Sequence, residues 1–113
     1  MSPDLAAMTA QVAELRKVSE ASSATEALLA RIEDRLTEGY AWALAGDAWS
    51  MRTEQRLHEL CSGTLVIVDD RDRRGLAREH IRFRRDLTAL RRELAALRRE
   101  RDRLRADWRV RSG

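Results

Sequence analysis

From Leu76 to Trp108 the chain repeats every seven residues, and this repeat constrains its architecture more than any other feature. With Leu76, Phe83, Leu90, Leu97 and Leu104 at position d, position a reads His80, Leu87, Leu94, Arg101 and Trp108. Alternating steps of three and four over more than four heptads are the signature of a coiled-coil helix. The flanks are ordered by charge. Arg84, Arg91, Arg98 and Arg105 occupy e, and Glu79, Asp86, Glu93, Glu100 and Asp107 occupy g.

In a parallel pair of helices each g residue faces the partner's following e residue. Glu79 then meets Arg84, Asp86 meets Arg91, Glu93 meets Arg98 and Glu100 meets Arg105. An antiparallel homodimer would set like charges together, and residues five apart do not face each other along one helix. The pattern therefore predicts a parallel homodimer, with the leucines supplying stability and the charges selecting orientation. His80 and Arg101 at a are costly to bury and favour a two-stranded seam whose polar side chains reach water. The same leucine face could instead pack on the chain's own amino-terminal helices; the charge order favours the two-chain reading.

Upstream, Leu5, Met8, Val12, Leu15 and Val18 form an apolar stripe at helical spacing, resumed by Leu28, Leu29, Ile32 and Leu36. Ser2-Pro3-Asp4 reads as its start, Ser19 to Glu26 as a weak polar centre, and Gly39 as its end. A second helix follows to Cys61, carrying Trp42 and Trp49 on one face, with Gly46-Asp47 as a potential break. Two tryptophans seven apart can meet a partner surface, but more often anchor helix–helix contacts. The expectation is an antiparallel hairpin (residues 1–62, helices about 3–38 and 41–61) folded at Gly39.

Residues 63–75 read as a connector. Within it, residues 64–68 (Thr64-Leu65-Val66-Ile67-Val68) have the composition of a short buried strand, and Asp69 to Gly75 that of a polar turn. That turn places Asp70, Asp72 and Gly75 at calcium-loop positions 1, 3 and 6. Arg74 and Ile81, at positions 5 and 12, cannot bind calcium, so the likeness fails. Overall the fold class reads as all-α, ending in a coiled-coil helix over residues 76–110.

Composition narrows function by exclusion. Phosphate-cradling glycine loops, serine elbows and paired-histidine metal motifs are absent. His58 and Cys61 lie one helical turn apart, but two ligands do not make a metal site, and no third group orients them as base and nucleophile. No enzyme, metal or cofactor is expected. The single cysteine fits a reducing compartment, and no apolar run is long enough to span a bilayer, so a cytoplasmic protein without a membrane partner is expected.

Charge is the remaining signal. All but Lys17 of the 22 basic residues are arginine, and the net charge of +3 hides an asymmetry. Residues 1–60 carry six basic against ten acidic side chains, a balance of −4; residues 61–113 carry sixteen against nine, a balance of +7. Such a split fits either a polyanion-binding end or complementary packing of the two halves. Arg78, Arg85, Arg92 and Arg99 fall at f, the outermost position, where they could contact phosphates. A basic-zipper mode of reading DNA is not expected, because the heptads already run through the basic segment and no asparagine there could read adenine. The sequence thus points first to a homodimeric interaction protein presenting its hairpins to a protein partner. A nucleic-acid-binding regulator using the arginine stripe is the alternative.

Overall fold

A computed structural model describes residues 3–62 and 70–113, all but a few of which fall in three helices. These are α1 (Leu5–Glu20), α2 (Glu26–Cys61) and α3 (Asp70–Ser112). All three pairs of helices touch, in an up–down–up bundle measuring 66 × 18 × 17 Å. The long axis is close to the ~64 Å expected of the 43-residue α3 alone, so the molecule is one helix long. The strand expected over residues 64–68 lies outside the described residues. Asp70 to Gly75, expected as a turn, is instead the first part of α3.

The first chain reversal is not at Gly39 but at Ala21–Thr25, and hydroxyl chemistry accounts for it. Ser19 Oγ donates to Leu15 O at 2.7 Å and Ser22 Oγ to Val18 O at 2.5 Å, closing the last turn of α1. Arg103 of α3 adds a hydrogen bond from Nη2 to Ser19 O at 3.1 Å, placing a cation at the negative helix end. Thr25 then caps α2 by accepting from Leu28 N at 3.1 Å. At the chain's start the cap is Asp4, which accepts from Ala7 N at 3.1 Å. The expected helices 3–38 and 41–61 are thus replaced by 5–20 and 26–61.

Gly39 and Gly46 stay helical because they serve packing. Each is buried on the inner face of α2, against side chains of α3. A Cβ on Gly39 would collide with Leu94 Cδ2, and one on Gly46 would lie 3.1 Å from Leu87 Cδ1 and 3.4 Å from Leu5 Cδ1. Glycine here is required by the approach of two helices rather than by a turn.

The expected zipper seam is filled from within the chain. Phe83, Leu87, Leu90, Leu94, Leu97 and Leu104 are all buried, in one cluster with Leu5, Met8, Val12 and Leu15 of α1 and Leu28, Ile32, Leu36 and Ala43 of α2. The physical reason is proximity: the α1 and α2 stripes are tethered to α3 and cover its apolar face before a second chain can. The partition into a hairpin, a connector and a separate coiled coil is corrected accordingly, because all three helices share one core. The less apolar seam residues have other surroundings. His80 Nε2 lies 3.0 Å from Ser50 Oγ and 3.7 Å from Glu54, Arg101 pairs with Glu33 and Asp102, Leu76 is half-buried, and Trp108 is 38% exposed.

Trp42 and Trp49, candidates for a partner surface, are half-buried against the core. The Trp49 ring tilts against Phe83 with centroids 4.2 Å apart, a helix–helix anchor. Beyond Leu5 only α2 and α3 continue among the described residues, leaving Leu57, Leu60 and Leu76 half-buried.

Candidate functional site

The two arginine stripes of α3 have different surroundings. The e-position stripe points at α2. Arg84 lies 3.3 Å from Glu54, Arg91 pairs with Asp47, and Arg105 lies 2.6 Å from Glu33, a carboxylate also 3.6 Å from Arg101. Each step of seven up α3 is matched by a step of seven down α2, which is the register of an antiparallel pair. Tyr40 occupies the α2 position opposite Arg98 in that register, and no ion pair forms there. The charges read as pairs between chains are thus largely satisfied inside one. On the g flank, Glu93 receives Arg16 of α1 through Nε at 2.6 Å and Nη2 at 3.4 Å, and Glu100 pairs with Arg103 at 2.8 Å. Glu93 first, and Glu20 after it, hold the Arg16 guanidinium above its ordinary pKa. Glu79 and Asp86 make no ion pair among the described residues.

The f-position stripe points away from the bundle. Arg78, Arg85, Arg92 and Arg99 are exposed and make no ion pair among the described residues. At ~10.5 Å per heptad they span roughly 32 Å of one straight edge. Between residues 78 and 99 the other outward positions hold Ile81, Thr88 and Ala95 at b, and Arg82, Ala89 and Ala96 at c. No carboxylate stands on this arc until Asp102. A shallow concavity along it is lined by Ile81, Arg84, Arg85, Thr88, Ala89 and Arg92. Arginine offers planar paired donors, so an unneutralised row of them suits phosphate oxygens.

Reading by sequence located the f arginines but missed Arg82, which reinforces them. It also missed Glu33, Asp47 and Glu54 as partners of the e stripe. Their spacing of seven and fourteen was visible in α2, but a turn assigned at Gly39 hid it. His58 and Cys61 are exposed near the end of α2, and among the described residues no three His, Cys, Asp or Glu side chains lie close enough to hold a metal. No helix among them is long and apolar enough to cross a membrane.

Comparison with protein-family models, with curated proteins and with solved structures finds no match to this chain.

Proposed function

We propose that this chain is a non-enzymatic helical binding module that lays the outward face of α3 along a polyanion, with the phosphate backbone of nucleic acid as its ligand. The observation that carries this reading is the carboxylate-free arc bearing Arg78, Arg82, Arg85, Arg92 and Arg99, set beside an e stripe whose arginines are largely engaged with α2. Contact of this kind is with the backbone and not with base edges, so it carries little sequence preference.

The test is fluorescence anisotropy of labelled duplex DNA with the intact protein across a salt series. Neutralising about four phosphates predicts a slope of log affinity on log salt of roughly −3 to −4. No binding at low ionic strength, or binding indifferent to salt, contradicts the reading. A second reading, an adaptor that meets protein, is favoured by Leu44 and Met51, each 70% exposed on the outer face of α2. The parallel zipper through α3 is not carried forward, since its leucines are already covered by α1 and α2.

A further inference from the structure

Behind the face that packs on α3, α2 carries a second heptad seam. Asp34, Ala41, Ala48 and Gln55 alternate with Thr37, Leu44, Met51 and His58 in steps of three and four, and all eight are exposed. Its middle half, Ala41 to Met51, holds only alanine, leucine and methionine at those positions. An exposed Leu44 and Met51 with alanines between them is the arrangement that lets a second helix approach closely.

We infer that a second copy of this chain packs on this seam with its α2 antiparallel to the first, about a two-fold axis crossing the helix at Ala45–Gly46. Charge selects both the occupant and its direction. On the flank beside α1, successive heptads place Arg31, Glu38, Ala45, Arg52 and Glu59. In an antiparallel pair this flank faces itself across the axis, so Arg31 meets the other copy's Glu59, Glu38 meets Arg52, and Ala45 meets Ala45. Every charged position finds the opposite sign, twice over by symmetry. Along the seam, Ala41 meets Met51, Leu44 meets Ala48, and the polar residues fall together at the ends, Thr37 with Gln55 and Asp34 with His58. The parallel alternative gains Asp47 against Arg52 but sets Glu33 against Glu38 and Glu54 against Glu59, and it forgoes the Arg31–Glu59 and Glu38–Arg52 contacts, so the antiparallel pair has the better charge match.

The other flank is already neutralised. Glu33, Asp47 and Glu54 are paired with Arg105, Arg91 and Arg84 of their own chain. Asp47 can therefore face its own copy with its charge met by Arg91. The seam from Asp34 to His58 is about 36 Å long.

The experiment is analytical ultracentrifugation of the full chain over a range of concentrations, repeated for four variants. Arg52→Glu places like charges across the axis and is expected to weaken association at least tenfold. Glu38→Arg with Arg52→Glu restores the pairing and is expected to recover it. Leu44→Glu, at a side chain outside the core, is expected to abolish association while circular dichroism and urea unfolding show an intact bundle. In a Cys61→Ser background, Ala45→Cys is expected to crosslink to itself under mild oxidation. A wild-type chain that stays monomeric throughout overturns the inference, as do association unchanged by Leu44→Glu or a double swap that fails to recover what Arg52→Glu loses. None of these outcomes bears on DNA binding by α3, which anisotropy reads separately.

Discussion

Gly39 and Gly75 both sit within helices, yet substitution at the two should move stability in opposite directions. Alanine in a helix interior is favoured over glycine by about 0.8–1 kcal/mol. At Gly75 a Cβ has no neighbour within 4 Å, so Gly75→Ala should stabilise by roughly that amount. At Gly39 the new methyl meets Leu94, which is fully buried and surrounded by core, so the overpacking cost of about 1–3 kcal/mol outweighs the propensity gain. Gly39→Ala should therefore lower the urea midpoint and Gly75→Ala raise it. A stabilising Gly39→Ala would mean that α2 and α3 are not in close contact there. Arg91 and Asp47 pair across α2 and α3. With side chains half and 39% exposed, the pair should contribute only about 0.2–1 kcal/mol in a double-mutant cycle. Its information is in sign: Arg91→Asp should destabilise, and adding Asp47→Arg should recover part of the loss. Equal, additive losses would show that the two side chains do not meet.

Among the elements, α3 was the most legible in sequence and also the most misleading. Its leucine heptads mark the face that is buried from Phe83 to Leu104, because a leucine every three or four residues has one structural meaning, but the helix begins at Asp70, within the stretch that reads as a turn. What those leucines face is not encoded in α3 at all. It depends on whether the α1 and α2 stripes can reach them, and that depends on where the chain turns. Gly39 carried the stronger punctuation signal, yet its missing side chain makes room for Leu94. The actual reversal uses Ser19, Ser22 and Thr25, whose hydroxyls satisfy backbone groups that a helix end leaves open. Alternating e and g signs likewise specify a complementary helix without saying whose it is, and in the bundle Arg84, Arg91 and Arg105 meet acids of α2. Leu97→Ala removes a fully buried side chain and should cost about 2–5 kcal/mol in urea unfolding. Leu90→Cys in a Cys61→Ser background places the thiol inside one bundle, so mild oxidation should yield no covalent dimer through it. Rapid crosslinking at that position would restore the zipper.

Across the whole molecule, the opposed charges of the two halves are partly consumed at the α2–α3 and α1–α3 contacts, and the surplus faces outward on α3. Of the two origins that the asymmetry admits, complementary packing is seen along the e stripe, and the unneutralised face along f is the surface proposed to meet a polyanion. The bundle thereby gives one straight helix two kinds of arginine seven residues apart in series and one residue apart in sequence. One comparison tests this division of labour directly. The wild-type chain, a variant with Arg78, Arg85, Arg92 and Arg99 changed to Gln, and a variant with Arg84, Arg91, Arg98 and Arg105 changed to Gln remove equal charge in different places. Anisotropy with duplex DNA across a salt series, read beside urea unfolding of each protein, separates them. The f variant is expected to keep the stability of the wild type and to lose most of its salt-dependent binding, its slope falling by about 3–4. The e variant should unfold at lower urea yet retain most of the slope wherever it is folded. Equal losses of binding in both variants, or a larger loss in the e variant, would contradict it.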